Sequence, residues 1–368
     1  MPSIARFDLH ATELPFRVKF KHAAKARETS SSLFLKCTLE DGTTGWGEAL
    51  PRDYVTGESQ QSACELLAEK ILPPLVGREF ASFDELHAFL DECDGVAPAE
   101  WVEPGTPQSA AWCAVDLALL DAFGKCFGSG PFPGENGSLP EGFRYSGVLT
   151  SGKGWKRTAQ LLAYRLVGFR ALKLKVDLTT NEDDLRAIKS KAGRIELRAD
   201  ANMAWTVEQA LEQMPLEAKY GVTSFEQPLA ADDLDGAARL IAETGLEVMA
   251  DESLNTRQSL ERLIEKKACT AISARISKCG GLVATLKRSR EAVEAGLWVQ
   301  VGCQVGESSI LSAAHLHLSH AFGQLRHAEG CFGKLLLGED PVEPLLQMKL
   351  GGTPPPKPTG PGLGVTMN

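Results

Sequence analysis

Five charged residues recur along this chain at a nearly constant step, each at or near the end of a short, strand-like apolar run. Successive members lie 25, 26, 25 and 27 residues apart, a step that accommodates one strand and one helix. They are Lys175, Asp200, Glu226, Asp251 and Lys278. In a barrel of alternating strands and helices the strand ends meet at one mouth, so the spacing predicts that these side chains converge.

The rest of the chain from residue 143 has the same rhythm. Amphipathic helical patterns such as NEDDLRAIKSK, with Asn ahead of a polar first turn, separate eight strand-like segments. The predicted strands are FRYSGVL, ALKLKV, IELRAD, VTSFEQP, EVMADES, AISARIS, LWVQVGC and LRHAEGC. Eight such units favour a modified TIM-type (β/α)₈ barrel over an open sheet.

The flanking segments differ in pattern. Residues 1–130 combine alternating strand patterns with helical ones and predict an α+β capping domain, followed by a Pro/Gly-rich linker at 128–142. The barrel is predicted over 143–333. The tail, 334–368, contains no ninth unit, and we expect it to return to the cap and complete it.

Composition narrows the class of partner. The chain has 368 residues, 43% of them hydrophobic, and a net charge of −9 without a basic block, which argues against nucleic acid. No apolar run approaches the roughly 20 residues of a membrane span, and the N-terminus lacks a signal-peptide pattern. Nine scattered cysteines without C-x-x-C indicate reduced thiols. We expect the protein to be cytoplasmic and to form a homo-oligomer. Its expected partner is a small-molecule carboxylate substrate.

The three carboxylates, Asp200, Glu226 and Asp251, predict a metal site. Three anions at neighbouring strand ends repel one another unless a cation lies between them. Oxygen ligands favour Mg²⁺, with Mn²⁺ as the alternative, over zinc. The competing interpretation is three independent, solvated loop carboxylates.

The lysines predict acid/base chemistry. Lys173 and Lys175 lie two apart in a strand, so both amines face the same side, and each ammonium should lower the pKa of the other. Lys278 ends the sixth unit, across an eight-stranded barrel from the second. Two lysines on opposite sides of a bound carbon acid could act on opposite faces. The competing interpretation places these lysines on the outer surface.

Taken together, these residues resemble the enolase superfamily, in its muconate-lactonizing subgroup within the mandelate racemase/muconate lactonizing enzyme family. The resemblance extends over essentially the whole chain. It is carried by GWGEA (45–49), KLKVD (173–177), RADANMAW (198–205), FEQP (225–228), ADES (250–253) and SKCGG (277–281).

The resemblance implies roles for individual residues. Lys175 and Lys278 would be the acid/base pair, with Lys173 adjusting the pKa of Lys175. The three carboxylates would bind Mg²⁺, and Asn202 matches the polar residue that accompanies the first ligand. The family's dipeptide epimerases usually have Asp-x-Asp after strand eight, whereas this chain has HAEGCFG with Glu329 alone, which weakens a dipeptide assignment.

Further candidates for substrate binding lie in the loops. We expect Glu329 to face the pocket, either binding the substrate or serving a structural role. Cys303 and Gln304 lie in the Gly-rich turn after strand seven, which suits a carboxylate, with phosphate as the alternative. Tyr54 lies in the cap segment 51–59.

That segment and residues 19–32 are predicted specificity loops. Besides Tyr54, they contain His22, Lys25, Arg27 and Arg52 as possible contacts for the far end of a substrate.

The expected activity is removal of a proton α to a carboxylate through an enediolate, most simply by a racemase or epimerase of an amino-acid-derived carboxylate. Cycloisomerisation and dehydration use the same intermediate and stay open. The rival from another class is a non-catalytic carboxylate-binding barrel.

Overall fold

The N-terminal part of the chain is an antiparallel sheet covered by helices. The structure, a computed structural model, describes residues 1–21, 26–135, 137–149 and 154–368. The first elements are β1 (Ile4–Lys21), β2 (Ala26–Leu39), β3 (Thr44–Ala49), α1 (Gln60–Leu66), α2 (Phe83–Cys93) and α3 (Ser109–Phe127). The strands pair in the order β1-β2-β3, as predicted for an α+β cap.

The GWGEA segment is β3, and its glycines permit close contact with α3. A Cβ atom at Gly45 would lie 2.1 Å from the backbone nitrogen of Ala122, and one at Gly47 would lie 2.0 Å from the carbonyl oxygen of Ala114. Since both neighbours are backbone atoms, any side chain would push the strand off the helix.

Eight parallel strands follow and form the predicted barrel. They are β4 (Gly147–Leu149), β5 (Ala171–Lys175), β6 (Glu196–Asp200), β7 (Val222–Glu226), β8 (Glu247–Ala250), β9 (Ala271–Ala274), β10 (Trp298–Val301) and β11 (His327–Ala328). They pair in sequence order. Ser146, just before β4, donates its N–H to the carbonyl of Ala328 at 3.0 Å, so the first strand meets the last.

Most of the barrel helices begin where the sequence provides a capping side chain. They are α4 (Trp155–Val167), α5 (Glu182–Ala192), α6 (Val207–Lys219), α7 (Leu234–Thr244), α8 (Arg257–Glu265), α9 (Leu282–Glu294) and α10 (Ser309–Phe322). The side chain of Asn181 accepts a hydrogen bond from the N–H of Asp184, and that of Asp233 accepts one from Gly236. These bonds satisfy amides that the first helical turn leaves unpaired.

Buried carboxylates of the cap hold it to the barrel. Glu48 of β3 is fully buried and accepts hydrogen bonds from the N–H and hydroxyl of Ser308 and from the N–H of Leu311, at the start of α10. Asp116 of α3 accepts from the N–H of Leu282 at 2.6 Å, at the start of α9. Acidic groups at helix N-termini satisfy free amides and complement the helix dipole.

The C-terminal segment contacts the cap, as predicted. The N–H of Gly338 donates to the carbonyl of Pro15, and the N–H of Leu363 donates to Asp121 of α3. Two short strands, β12 (Val342–Glu343) and β13 (Thr366–Met367), pair with each other. The residue boundaries proposed for the domains stay predictions. Among the described residues, none of the helices has the length and apolar character required to cross a bilayer.

The Glu48 contact predicts a pH-dependent stability. Burial raises the pKa of Glu48 to about 7, against the opposing effect of its bonds from Ser308. A carboxyl whose pKa is raised by folding stabilises the folded state most at low pH, and this contribution is lost as the pH rises through the folded pKa. We expect the free energy of unfolding of the wild type, relative to Glu48→Gln, to fall by about 2 kcal/mol between pH 5 and pH 8.

Denaturant unfolding of both proteins across that pH range measures this difference. Glu40→Gln, an exposed change just after β2, is the matched control. A wild-type-minus-variant difference that stays constant with pH would contradict the prediction.

Candidate active site

The predicted carboxylates lie together at the carboxyl ends of adjacent strands. Lys175, Asp200 and Glu226 end β5, β6 and β7, and the ladder pairs Lys175 with Asp200 and Asp200 with Glu226. Asp251 follows β8 directly. Asp200, Glu226 and Asp251 are 1%, 2% and 0% exposed, so their charges depend on partners inside the protein.

Lys173 is a buried cation surrounded by carboxylates. Its Nζ lies 3.3 Å from Asp200, 2.9 Å from Glu226 and 2.6 Å from Glu329. Burial works to lower the pKa of Lys173, but Glu226, Glu329 and Asp200 outweigh it and the pKa lies above its usual range. The expected lowering of this pKa is therefore wrong for Lys173, because three anions surround the amine and oppose the effect of Lys175.

Lys175 faces the same side as Lys173 and is the more accessible amine. About a quarter of its side chain, 24%, is exposed. Its Nζ donates to Asp200 Oδ2 and to Asn202 Oδ1, each at 2.6 Å. Asn202 has a left-handed backbone with φ of 46°, and its N–H donates to Asp200 Oδ1. Asn202 therefore fixes the amine and the first carboxylate together.

Asp251 is positioned by a residue that the sequence analysis did not single out. The side-chain oxygen of Gln227 accepts the N–H groups of Asp251 and Ser253, at 2.9 and 3.1 Å. Gln227 itself has a left-handed backbone with φ of 40°. The only sign of this role in the sequence is that Gln227 directly follows Glu226 in the FEQP motif.

Lys278 lies beneath Asp251. Its side chain is fully buried, and its Nζ donates to the carbonyl and Oδ1 of Asp251 and to the carbonyl of Ser273. Burial, with a smaller contribution from the nearby charge of Arg275, lowers the pKa of Lys278 to about 8. The catalytic role of Lys278 stays a prediction.

Arg275 is a second cation at this strand end that the sequence analysis missed. It follows β9 directly, as Asp251 follows β8. Its Nη2 donates to Asp251 Oδ2 and lies 3.6 Å from Glu226 Oε1. Its position 24 residues after Asp251 also fits the step of charged residues and could have revealed it.

The donor set suits a hard cation. The same ammonium, that of Lys173, reaches both Asp200 and Glu226, and the same guanidinium, that of Arg275, reaches both Glu226 and Asp251. Carboxylates close enough to share one cation could share a Mg²⁺ ion, which prefers oxygen ligands. In the described part of the chain, however, no three His, Cys, Asp or Glu side chains already form a group that could hold a metal. Mg²⁺ binding would require Lys173 and Arg275 to give up their contacts with these carboxylates.

Glu329 lies in the barrel interior with both oxygens engaged. Oε1 accepts from Arg198 at 3.1 Å, and Oε2 lies 2.6 Å from Lys173. Arg198 also donates to Gln300 and Ser146. This arrangement supports the alternative in which Glu329 has a structural role, while its role toward a substrate stays a prediction.

The other substrate-binding candidates occupy different environments. Gln304, after β10, is 3% exposed, and within the described residues neither atom of its side-chain amide has a hydrogen-bond partner. Cys303 is half-buried, and burial with Glu307 and Glu329 raises the pKa of its thiol. Tyr54 is 46% exposed in the cap.

The cap loop containing Tyr54 reaches the turn after β10. The guanidinium of Arg52 donates to the carbonyl of Ser31 at 2.9 Å and to that of Val305 at 3.5 Å. His22 and Lys25, predicted in the other specificity loop, lie outside the described residues, as does the side chain of Arg27.

Similar proteins of known activity are isomerases. The chain is 28% identical to N-succinyl-L-Arg/Lys racemase of Bacillus cereus over 320 residues, 86% of this chain and 84% of the relative. It is 27% identical to a hydrophobic dipeptide epimerase of Enterococcus faecalis, covering 89% of each. It is 28% identical to muconate cycloisomerase 1 of Rhodococcus opacus, covering 100% and 96%.

Solved structures of two of these proteins have the same fold. The Bacillus racemase superposes with a TM-score of 0.86 at 26% identity, covering 100% of this chain and 96% of the other. The Enterococcus epimerase, solved with Mg and the dipeptide L-Leu-L-Tyr, superposes with a TM-score of 0.80 at 25% identity and 99% coverage of each.

Two family models account for nearly the whole chain. Residues 7–130 match the mandelate racemase/muconate lactonizing enzyme N-terminal domain, and residues 156–368 match the enolase C-terminal domain-like model. The chain therefore belongs to the mandelate racemase/muconate lactonizing enzyme family of the enolase superfamily.

Proposed function

We propose that this protein is a Mg²⁺-dependent isomerase that removes the proton α to a carboxylate and returns it, as a racemase or epimerase of an amino-acid-derived carboxylate. The observation that carries the proposal is the amine of Lys175. It lies at the barrel mouth, partly exposed, beside three buried carboxylates, and Asp200 and Asn202 hold it in place.

In this proposal Lys175 is the base. Its neutral amine takes the α-proton, so the C–H bond breaks, an N–H bond forms, and the electron pair moves onto the carboxylate to give an enediolate. Lys173 serves as a fixed cation beside it, since Asp200, Glu226 and Glu329 keep it charged. A cation placed in advance stabilises charge that develops in the transition state.

Asp200, Glu226 and Asp251 would hold the Mg²⁺ ion. A bound divalent ion supplies a concentrated positive charge that stabilises a substrate oxyanion. Gln227 and Asn202 position two of these ligands through bonds to the backbone of Asp251 and to Asp200. These five side chains would therefore either hold the ion or position one of its ligands beside the reacting carboxylate.

The substrate class follows from the relatives and one buried group. The Bacillus relative is named for N-succinylated amino acids and the Enterococcus relative for dipeptides. Both substrate types contain an amide, and the buried amide of Gln304 offers a donor and an acceptor for such a group.

Cycloisomerisation is the second candidate. Glu329 uses both oxygens on Arg198 and Lys173 and so offers no unengaged oxygen to a substrate amine. A substrate without an ammonium group, as the name of the Rhodococcus relative implies, is compatible with that arrangement.

The carboxylate trio yields the first activity prediction. Asp200→Asn, Glu226→Gln and Asp251→Asn should each weaken Mg²⁺ binding and lower kcat/KM by on the order of 100-fold or more, because the enediolate loses its counter-charge. Calorimetric Mg²⁺ titration and chiral chromatography with N-succinyl amino acids measure the two effects. Glu247→Gln, at the opposite end of β8, is the control. Undiminished wild-type turnover in excess EDTA would refute metal dependence.

Removal of the proposed base gives a second prediction. Lys175→Ala should lower α-proton exchange in D₂O by roughly 10³-fold, with little change in thermal stability because Asp200 keeps Lys173 as a partner at 3.3 Å. Proton NMR of enantiomeric N-succinyl amino acids and of dipeptides follows the exchange. Lys189→Ala, on the exposed face of α5, is the matched control. Wild-type exchange in Lys175→Ala would exclude it as the base.

A further inference from the structure

The outer face of α4, the first helix of the barrel, is apolar and exposed. Trp155 is 75% exposed, Leu162 is 46% exposed and Leu166 is 88% exposed. Ala159, which lies between Trp155 and Leu162, is exposed as well. A single exposed leucine is ordinary on a protein surface, but a contiguous apolar patch marks a place where another molecule binds.

The opposite face of α4 already attaches the helix to the barrel. Leu161 is 1% exposed and packs in the core. The hydroxyl of Tyr164 and the side-chain amide of Gln160 both donate to the carbonyl of Val148 in β4, at 3.0 and 3.2 Å. The outer side chains are therefore not needed to hold α4 in place.

The four outer residues repeat at the spacing of a helix–helix seam. From Trp155 to Leu166 the steps are four, three and four residues, so the side chains form one stripe about 60° wide on a helix of 3.6 residues per turn. Alternating steps of three and four are those of the a and d positions of a heptad, which pack against a second helix. Within the described part of the chain the stripe is exposed, so a second helix would have to come from another molecule.

We propose that this stripe is a dimer interface, in which α4 packs antiparallel against α4 of a second copy of this chain. The steps of four, three and four read the same in both directions. An antiparallel pair therefore places Trp155 opposite Leu166 of the second copy. It likewise places Ala159 opposite Leu162 of the second copy. An interface on a twofold axis requires such self-complementarity, and this one is independent of the proposed function.

The charged residues beside the stripe are compatible with the antiparallel pair. α4 contains Lys156 and Arg165 next to the stripe and has no acidic residue. In the antiparallel pair Lys156 lies opposite Ala163 of the second copy, and Arg165 lies opposite Thr158. No two of these cations face each other, so the contact carries no like-charge penalty at its edges.

The apolar area is sufficient for a stable dimer. Leu350 extends the patch at the end of α4: it is 79% exposed, and a Cβ on its neighbour Gly351 would lie 2.5 Å from the carbonyl oxygen of Val167. The exposed parts of the stripe and of Leu350 amount to about 550 Å² of apolar surface per copy. Two copies would bury about 1,100 Å², which exceeds the roughly 1,000 Å² expected of a specific interface.

Sedimentation equilibrium over a range of protein concentrations tests the interface. The wild type should sediment as a dimer or a larger even-numbered assembly. Leu166→Glu places a carboxylate against the indole of the second copy and should raise the dissociation constant of this contact at least about 100-fold. Because Leu166 is 88% exposed, the variant should fold like the wild type. Leu335→Glu, at a leucine 54% exposed in the C-terminal segment, is the matched control and should keep the wild-type mass.

A mixture of two variants tests the antiparallel orientation. Trp155→Lys and Leu166→Glu, each alone, oppose a charge to an apolar side chain and should both lose the contact. When they are mixed, one end of the antiparallel pair joins the introduced ammonium to the introduced carboxylate, and the other end keeps the native Trp155–Leu166 contact. The mixture should therefore regain the dimer. A parallel pair would place each position opposite itself and would gain nothing from mixing.

Several outcomes would overturn the proposal. A wild type that is monomeric at every concentration would do so, as would a folded Leu166→Glu protein that keeps the wild-type mass. If Leu166→Glu does not fold, Trp155→Lys alone gives the same test. A mixture that stays dissociated would exclude the antiparallel pair. A monomeric wild type that co-sediments with phospholipid vesicles, while Trp155→Lys does not, would assign the stripe to a membrane surface and not to a second copy.

Discussion

The barrel mouth depends on a continuous chain of ion pairs in which positive and negative side chains alternate. In spatial order its members are Lys175, Asp200, Lys173, Glu226, Arg275, Asp251 and Lys278. A buried charge without a partner is strongly destabilising. Each strand end therefore requires its neighbour at the same height, and the chain links β5 through β9 into one rim.

The cap is joined to this rim through the helices that follow the strands. Glu48 and Asp116 bind the first amides of α10 and α9, the helices after β10 and β9. The cap therefore contacts the loops that lead from the strand ends to these helices, and the Arg52 bond to Val305 extends this contact to the turn containing Gln304. A substrate bound at the rim would lie close to cap side chains without any change of fold.

Local sequence was sufficient for the barrel and for most of the rim, because the strands β5 through β9 are short and largely apolar, and each ends at a charged residue or directly before one. It failed where partners come from across the barrel. The raised pKa of Lys173 depends first on Glu226 and then on Glu329, which follows the eighth strand. Glu329 in turn accepts a hydrogen bond from Arg198 of the third strand. At β9, two cations three residues apart both fit the step, and the sequence does not show that Arg275 follows the strand directly while Lys278 lies buried in the turn after it.

The balance of charge indicates which state of a substrate the rim best accommodates. With Lys175 neutral, as the proposed base must be, three cations face three carboxylates along the chain of ion pairs, so the rim is formally neutral before any ligand binds. A divalent metal would give the rim a surplus of positive charge, and a substrate carboxylate would offset only part of it. An enediolate has one more negative charge than the substrate carboxylate, so it offsets more of the positive surplus. Since catalysis requires stronger interactions in the transition state than in the ground state, this surplus favours proton abstraction over simple carboxylate binding, and it couples the binding of metal and of anion to each other.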